Sequence, residues 1–308
     1  MIEIQEHVPL APLTTFRIGG AARYFAKAAS EKELRAALAW AQERSVPSFI
    51  LAGGSNVLFS DRGFDGLVIH MQMNSYRMDG PHVHADAGAV LLEVITAAAE
   101  QSLGGWEHMA GIPGTVGGAV RGNAGAFGTE VKDVLHSVRA LNTQTHTVQT
   151  FSAEDCAFAY RQSIFKGDTP WIILSATFAL TPGDAETIRA TITQTIEERE
   201  KRHLQNVRAA GSFFMNPVAP PEVVERFERD KGVRSRGGRV PAGWLIEEAE
   251  MKGYRIGGAQ SSPQHPNYII NTGDATAEDV ITLASMIKMR VRDRLGVQLR
   301  EEVQMVGF

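Results

Sequence analysis

From Ala110 to Gly128 the chain reads AGIPGTVGGAVRGNAGAFG, with Gly111, Gly114 and Gly117 spaced three apart and Gly118 directly after. Glycine lets the backbone take positive φ and come within van der Waals reach of a bulky ligand. The amides exposed in such a loop can also cradle an anion such as a pyrophosphate. A shorter loop of the same character, Leu51-Ala-Gly53-Gly54-Ser55-Asn56-Val57, lies upstream. Either loop alone also reads as a packing turn. Together they point to one long ligand held at two places, and a dinucleotide has that shape. Neither is the usual dinucleotide fingerprint, because no G-x-G-x-x-G follows a strand and no G-x-x-x-x-G-K-[ST] occurs.

Loops of this kind need a frame to hold them. Ser30 and Glu33 read as a capping box opening a helix over 30–45, with Leu34, Ala37, Leu38 and Ala41 as its apolar stripe. Strands at 48–52 and 66–71 flank the first glycine loop and close a small α/β lobe near residue 72. A strand at 82–87, a helix at 91–101, the long glycine loop and strands at 137–141 and 171–180 form a second α+β unit. The capped stretch 152–155 leads into Tyr160-Arg161. A helix over about 184–203 ends in the run EEREKRH, which reads as a solvated terminus. A third unit begins near residue 209, with helices at 221–230, 241–251 and 277–295, the last stopped by Gly296. The closing segment 297–306 alternates as a strand. The expected division is therefore 1–72, 73–205 and 206–308, with no low-complexity linker between the parts.

Bulk properties narrow the function. The chain has 308 residues, 44% hydrophobic and 21% charged, as in ordinary globular proteins. A net charge of −4 argues against a general nucleic-acid binder or a ligand of anionic membranes. No apolar run reaches the roughly 18 residues that would span a bilayer, and the N-terminus lacks the pattern of a secretory signal. Cys156 is the only cysteine, which rules out an internal disulfide and a Cys-rich metal site. The nine histidines form no metal-binding pattern, so no metal is expected. A cytoplasmic monomer is the simplest expectation.

Five blocks in order resemble the UDP-N-acetylenolpyruvoylglucosamine reductase family of flavoenzymes. They are Thr14-Thr-Phe-Arg-Ile-Gly19 with Gly53-Gly-Ser-Asn56; Gly111-Ile-Pro-Gly-Thr-Val-Gly-Gly118; Tyr160-Arg-Gln-Ser163; Gly211-Ser-Phe-Phe-Met-Asn-Pro217; and Leu299-Arg-Glu-Glu-Val303. The resemblance spans essentially the whole chain. It implies an α+β architecture: a two-lobed FAD-binding fold of the vanillyl-alcohol oxidase type plus a C-terminal α+β substrate domain whose last strand returns to the active site. It implies NADPH-dependent reduction of UDP-N-acetylglucosamine enolpyruvate to UDP-N-acetylmuramate for peptidoglycan synthesis. The first glycine loop lacks the histidine or cysteine that tethers FAD in some relatives, so FAD is expected to be dissociable. The direct passage from strand 171–180 into a helix resembles the shorter subclass, which lacks an inserted tyrosine loop.

The resemblance also implies roles for single residues. FAD falls to Gly53, Gly54, Ser55, Asn56, Gly111, Ile112, Pro113, Gly114, Thr115, Gly117, Gly118 and Asn123. Arg161 matches the arginine that forks onto the developing enolate, Ser212 the proton donor, and Glu302 the C-terminal carboxyl group that assists at the enolate. Strand alternation alone would nominate Glu301, which falls among Val297, Leu299, Val303 and Met305, whereas the motif selects Glu302. Tyr160, Asn216, Lys252 and Gln260 match substrate-binding positions. Met215 replaces a lysine common in relatives, and the stretch 201–208 lacks their usual proline. Two rival readings are an FAD-dependent oxidase or dehydrogenase of the same fold and a flavin-binding module without catalysis.

Overall fold

Local capping explains where the helices begin and end. Ser30 Oγ accepts the Glu33 N–H at 3.2 Å, and Glu33 turns back to the Ala29 N–H at 2.8 Å, opening α1 (Glu31–Glu43). Leu34, Ala37, Leu38 and Ala41 are all buried along its inner face. Of two further helices, α2 (Leu91–Glu100) precedes the glycine-rich stretch and α3 (Val116–Arg121) forms within it. Asp184 accepts the N–H and hydroxyl of Thr187 at 2.8 and 2.7 Å and so starts α4 (Ala185–Lys201). After α5 (Pro221–Lys231) and α6 (Ala242–Glu248), Thr276 and Asp279 form a reciprocal capping box at the start of α7 (Ala277–Leu295). Gly296, at φ +66°, ends it as the sequence predicts. Helix α6 is shorter than the predicted 241–251.

The computed structural model describes residues 2–201 and 207–308. The basic end of the predicted 184–203 helix and most of the stretch 201–208 lie outside the described residues. The chain forms two units. The first comprises Met1–Val8, Ala22–Gly53 and Asp65–Lys201; the second comprises Pro9–Ala21, Gly54–Phe64 and Arg202–Phe308.

Two sheets frame the first unit. One has four strands in the order Gln5–Pro9, Ala21–Ala28, Phe64–Met71, Ser48–Leu51, the last two being parallel. The other is antiparallel and runs Val148–Ser152, Leu135–Asn142, Trp171–Ala179, His82–Asp86, Tyr76–Asp79. One apolar core, from Ala26 to Ile192, joins the two sheets with α1, α2 and α3. Cys156 is buried in it, and burial pushes the thiol up to about 11. A thiol-specific reagent at neutral pH should therefore leave Cys156 unmodified in the native protein and label it on denaturation. Rapid labelling without denaturant would contradict this burial.

The second unit assembles three separated stretches of chain. Phe16, Ile18 and Leu58 share its core with Phe213, Phe214, Trp244, Leu245 and the inner face of α7. Val57–Phe59 pairs in parallel with Gln304–Val306. Asp61 accepts the Ala277 and Glu278 N–H groups at 2.9 and 3.2 Å and so adds a second cap to α7. Strands Arg255–Ile256, Ala259–Ser261 and Ile269–Asn271 make a small antiparallel sheet. The closing segment is not the continuous strand expected from alternation. Only Gln304–Val306 is regular, and a bend at Val303 leaves Met305 exposed while Val306 is buried. Pairing with Val57–Phe59 fixes the register there, and it overrides the local alternation.

Candidate active site

The structure brings the two glycine loops together. A Cβ at Gly53 would stand 3.0 Å from Gly114 Cα, so the backbones touch where neither has a side chain. The second loop is stitched to a neighbouring strand end. Leu91 donates to Gly114 O at 3.1 Å, Val116 to Ala89 O at 2.9 Å and Gly117 to Ala87 O at 2.8 Å. Thr115 caps α3 by accepting from Gly118 N–H. Gly117 is a close-packing position, since a Cβ there would meet Ala87 Cβ at 2.8 Å. Gly118 is exposed, and a Cβ there would find nothing closer than Thr115 Oγ1 at 3.7 Å. Ile112 packs partly on the core, while Pro113 is exposed. Paired glycine backbones with one open face form a cradle that admits a large ligand to main-chain distance.

Gly54, Ser55 and Asn56 belong to the second unit. Gly54, at φ +61°, accepts the Thr15 N–H at 3.1 Å, and added bulk there would strike Leu13 O. Asn56 Nδ2 donates to Glu302 O at 3.2 Å, and Asn56 O accepts the Gln304 N–H at 3.1 Å. The Ser-Asn part of the loop therefore anchors the segment that carries Glu302.

Arg161 stands in the first unit, in backbone that only Gly, Asn and Asp adopt readily: its φ is +58°. Its Nη2 donates to Gly125 O at 3.3 Å, its guanidinium lies 5.2 Å from the Tyr160 ring centre, and its carbonyl accepts from Lys166 Nζ at 2.8 Å. Asn123 braces this region from inside. It is wholly buried at φ +43°, donates to Glu130 Oε2 at 3.0 Å and Ala159 O at 3.1 Å, and accepts the Lys132 N–H at 3.1 Å. Its side chain is thus engaged by three bonds within the fold. Ser163 Oγ donates to Arg121 O at 2.7 Å and ties the Tyr-Arg-Gln-Ser turn to the end of α3.

Ser212 and Glu302 come together in the second unit through main-chain pairing. Glu302 N–H donates to Phe213 O at 2.8 Å, Met215 N–H to Arg300 O at 2.9 Å, and Phe214 bridges Glu301. The Phe213 and Phe214 rings are buried 5.1 Å apart, leaving the partly buried Ser212 at the head of a fixed segment. Asn267 clamps the same segment, donating from Nδ2 to Phe214 O at 2.8 Å and accepting Phe214 N–H at 3.0 Å. Sequence reading missed Asn267, because its partner lies 53 positions away and no local pattern links them.

Glu301 carries an ion pair of its own. Lys288 Nζ bonds Glu301 Oε1 at 2.7 Å, giving that carboxylate a structural partner on α7. Glu301→Gln should shift stability by no more than about 1 kcal/mol, because both side chains are partly exposed. It should also leave turnover near wild type, whereas Glu302→Gln should slow it; rates of the two purified variants check this, and the opposite pattern would exchange the assignments.

The expected substrate residues sit in varied settings. Asn216 Oδ1 accepts the Ala242 N–H at 2.9 Å, and its carbonyl accepts from Arg239 at 3.1 Å. Lys252 is exposed and pairs with Glu247 at 2.7 Å. Gln260 donates to Gly253 O at 3.1 Å within the small sheet. Among the described residues no cluster of metal-ligating side chains occurs, and no helix is long and apolar enough to cross a membrane.

Comparison with known proteins covers the whole chain. Residues 22–152 match the family profile for an FAD binding domain, and residues 200–306 match that for the UDP-N-acetylenolpyruvoylglucosamine reductase C-terminal domain. The chain is 37% identical to the UDP-N-acetylenolpyruvoylglucosamine reductase of Solibacter usitatus over 99% of its length and 97% of that protein. It is 38% identical to the protein of the same name from Synechococcus sp., over 99% of its length and 91% of that protein. The crystal structure of UDP-N-acetylenolpyruvylglucosamine reductase from Thermus caldophilus superposes with a TM-score of 0.78 at 28% identity, covering 100% of this chain and 99% of that one.

Proposed function

Since the chain belongs to the UDP-N-acetylenolpyruvoylglucosamine reductase family, we propose how its own residues divide the family's reaction. The protein is an FAD-dependent oxidoreductase of peptidoglycan synthesis. It uses NADPH to reduce UDP-N-acetylglucosamine enolpyruvate to UDP-N-acetylmuramate. Its fold is α+β, with an FAD-binding part of the vanillyl-alcohol oxidase type and a C-terminal substrate-binding part. The observation that carries this is identity of 37% sustained over 99% of the chain.

Bound FAD would supply the relay of hydride from NADPH to the enolpyruvyl β-carbon. The touching backbones of Gly53 and Gly114, and the amides of Gly111–Gly118, fit a large anionic cofactor. Gly54, Ser55 and Asn56 complete the assigned set. Hydride arrival at the β-carbon drives charge toward the carboxylate as an enolate. The Arg161 guanidinium forks onto that carboxylate, and its always-charged state suits the growing negative charge. Ser212 Oγ hands its proton to the α-carbon, and the Glu302 carboxyl group assists at the enolate. Tyr160, Asn216, Lys252 and Gln260 are assigned to the sugar nucleotide.

Several finer points belong to the same reading. FAD is dissociable, because residues 51–57 contain no histidine or cysteine. Strand Trp171–Ala179 passes through Thr181–Pro182 directly into α4, which suits the shorter subclass. The 1–72, 73–205 and 206–308 division describes two FAD lobes and a substrate domain. A cytoplasmic monomer that does not bind nucleic acid fits the net charge of −4.

The test is an anaerobic visible spectrum of the purified protein, reduced with NADPH and then mixed with UDP-N-acetylglucosamine enolpyruvate. Loss of flavin colour and its rapid return on mixing support the assignment. Colour that is lost and does not return sends the protein to the oxidase reading.

A further inference from the structure

Helix α4 buries a stripe made of Ile188, Ile192, Thr195 and Arg199. It packs against α2 and against the single turn Glu107–Met109. The stripe is apolar at one end and cationic at the other. Arg199 is only 8% exposed, and its Nε–H is enclosed with no acceptor. No hydrogen bond or ion pair reaches this side chain among the described residues. An arginine that merely finished the helix would turn to water, as Glu197 and Glu200 beside it do. A guanidinium keeps its charge in a protein, and a cation withdrawn from water is costly until an anion joins it.

The carboxylate on the turn that α4 packs against does not meet this demand. Glu107 holds the Gly105 N–H with both of its oxygens at 3.0 Å. The same turn runs directly into the glycine loop, since Ala110 N–H donates to Glu107 O at 2.9 Å and Ile112 N–H to Met109 O at 3.1 Å. Arg199 therefore stands on the helix that buttresses the entry to Gly111–Gly118, within the same unit. The loop's own donors to an anion are uncharged amides. A pyrophosphate diester carries two negative charges, and the planar fork of arginine matches phosphate oxygens.

We propose that Arg199 is the charged member of a pyrophosphate site, its enclosed guanidinium waiting for the phosphates of a bound dinucleotide. The inference rests on the family assignment, which gives the protein two such ligands, FAD and NADPH. The place of Arg199 in the unit of the glycine loop puts FAD first. Its role is to hold a ligand, with no part in the transfer of hydride or proton.

Calorimetric titration of the apoprotein with FAD and with riboflavin, in wild type, Arg199→Met and Arg199→Lys, reads the first ligand. Stopped-flow dissociation constants for NADPH on the FAD-loaded proteins read the second. Riboflavin carries the flavin ring without phosphate and serves as the control. Arg199→Met should weaken one dinucleotide by roughly 10- to 100-fold, the loss of a charged hydrogen bond, and Arg199→Lys should recover part of it. A loss confined to FAD assigns the site to the cofactor, and a loss confined to NADPH assigns it to the hydride donor. Riboflavin affinity should stay within about twofold of wild type. The unliganded methionine variant should melt at or above wild type, because the enclosed unpaired charge is gone. FAD and NADPH affinities both unchanged would overturn the proposal, as would an equal loss for FAD and riboflavin. A methionine variant that melts well below wild type, with a lysine variant that binds both dinucleotides as wild type does, would make Arg199 a structural residue and overturn it too. If wild-type protein itself takes up no FAD, the family assignment fails and this inference with it.

Discussion

Replacing Ser212 by alanine is expected to leave reduction of bound FAD by NADPH at its wild-type rate and to slow turnover of the enolpyruvyl substrate by roughly 10²–10⁴-fold. The asymmetry follows from the role proposed for the hydroxyl. Hydride transfer from NADPH moves no proton through Ser212, whereas the enolate must gain one at its α-carbon. A serine hydroxyl is a weak acid, and it serves only where a far more basic carbon is held beside it. The surrounding main chain supplies that placement, through Phe213 O to Glu302 N–H at 2.8 Å and the Asn267 clamp on Phe214. Alanine keeps these main-chain bonds, so the loss should be chemical and not structural. Stopped-flow measurement of the two half-reactions separates them. Equal slowing of both would mean that the variant disturbs the site as a whole, and near-normal turnover would remove Ser212 from its assigned role.

Asn123→Ala is expected to cost about 3 kcal/mol or more of stability, with a melting temperature lower by several degrees. Three hydrogen bonds vanish at a wholly buried position, to Glu130, Ala159 and Lys132. Ala159 O and Lys132 N–H are then left with unmet demand inside the protein. Alanine must also adopt φ +43°, where asparagine is tolerated and alanine costs roughly 1 kcal/mol. Because Asn123 braces the stretch before Tyr160-Arg161, enolpyruvyl turnover should fall alongside stability. Asn123→Asp keeps the acceptor toward Lys132 but sets a carboxylate beside Glu130, so it should not rescue. Thermal melts of the three proteins decide the matter, and a melting temperature for Asn123→Ala within a degree or so of wild type would sink it.

What the sequence revealed was mostly what short-range physics controls. Ser30 and Gly296 set helix ends within one turn of themselves, and the structure places them as read. The glycine loops were legible as a ligand cradle, because few other roles require so many glycines in one run. Their mutual contact at Gly53 and Gly114 was not, since 61 positions separate them and nothing local encodes the meeting. The closing segment shows the same limit. Alternation over 297–306 suggested one strand, but the register there is dictated by Val57–Phe59 at the opposite end of the chain. The motif selects Glu302 and alternation selects Glu301, and the Lys288 partner of Glu301 appears only once α7 is folded.

The parallel pairing of Val57–Phe59 with Gln304–Val306 has a consequence for biosynthesis. The first unit draws its core from residues 26–192 and can close while translation continues. The early strand of the second unit has to wait. At about 5–20 residues per second, roughly 10–50 s pass before its partner leaves the ribosome. Through that interval a Val-Leu-Phe edge stands unmatched, a template on which any passing strand can pair. A nascent chain stalled or clipped short of residue 304 would keep that edge open permanently. Residues 304–306 therefore cover the Val57–Phe59 edge in chains that reach them, and chains that stop short of them leave that edge open to chaperones and proteases.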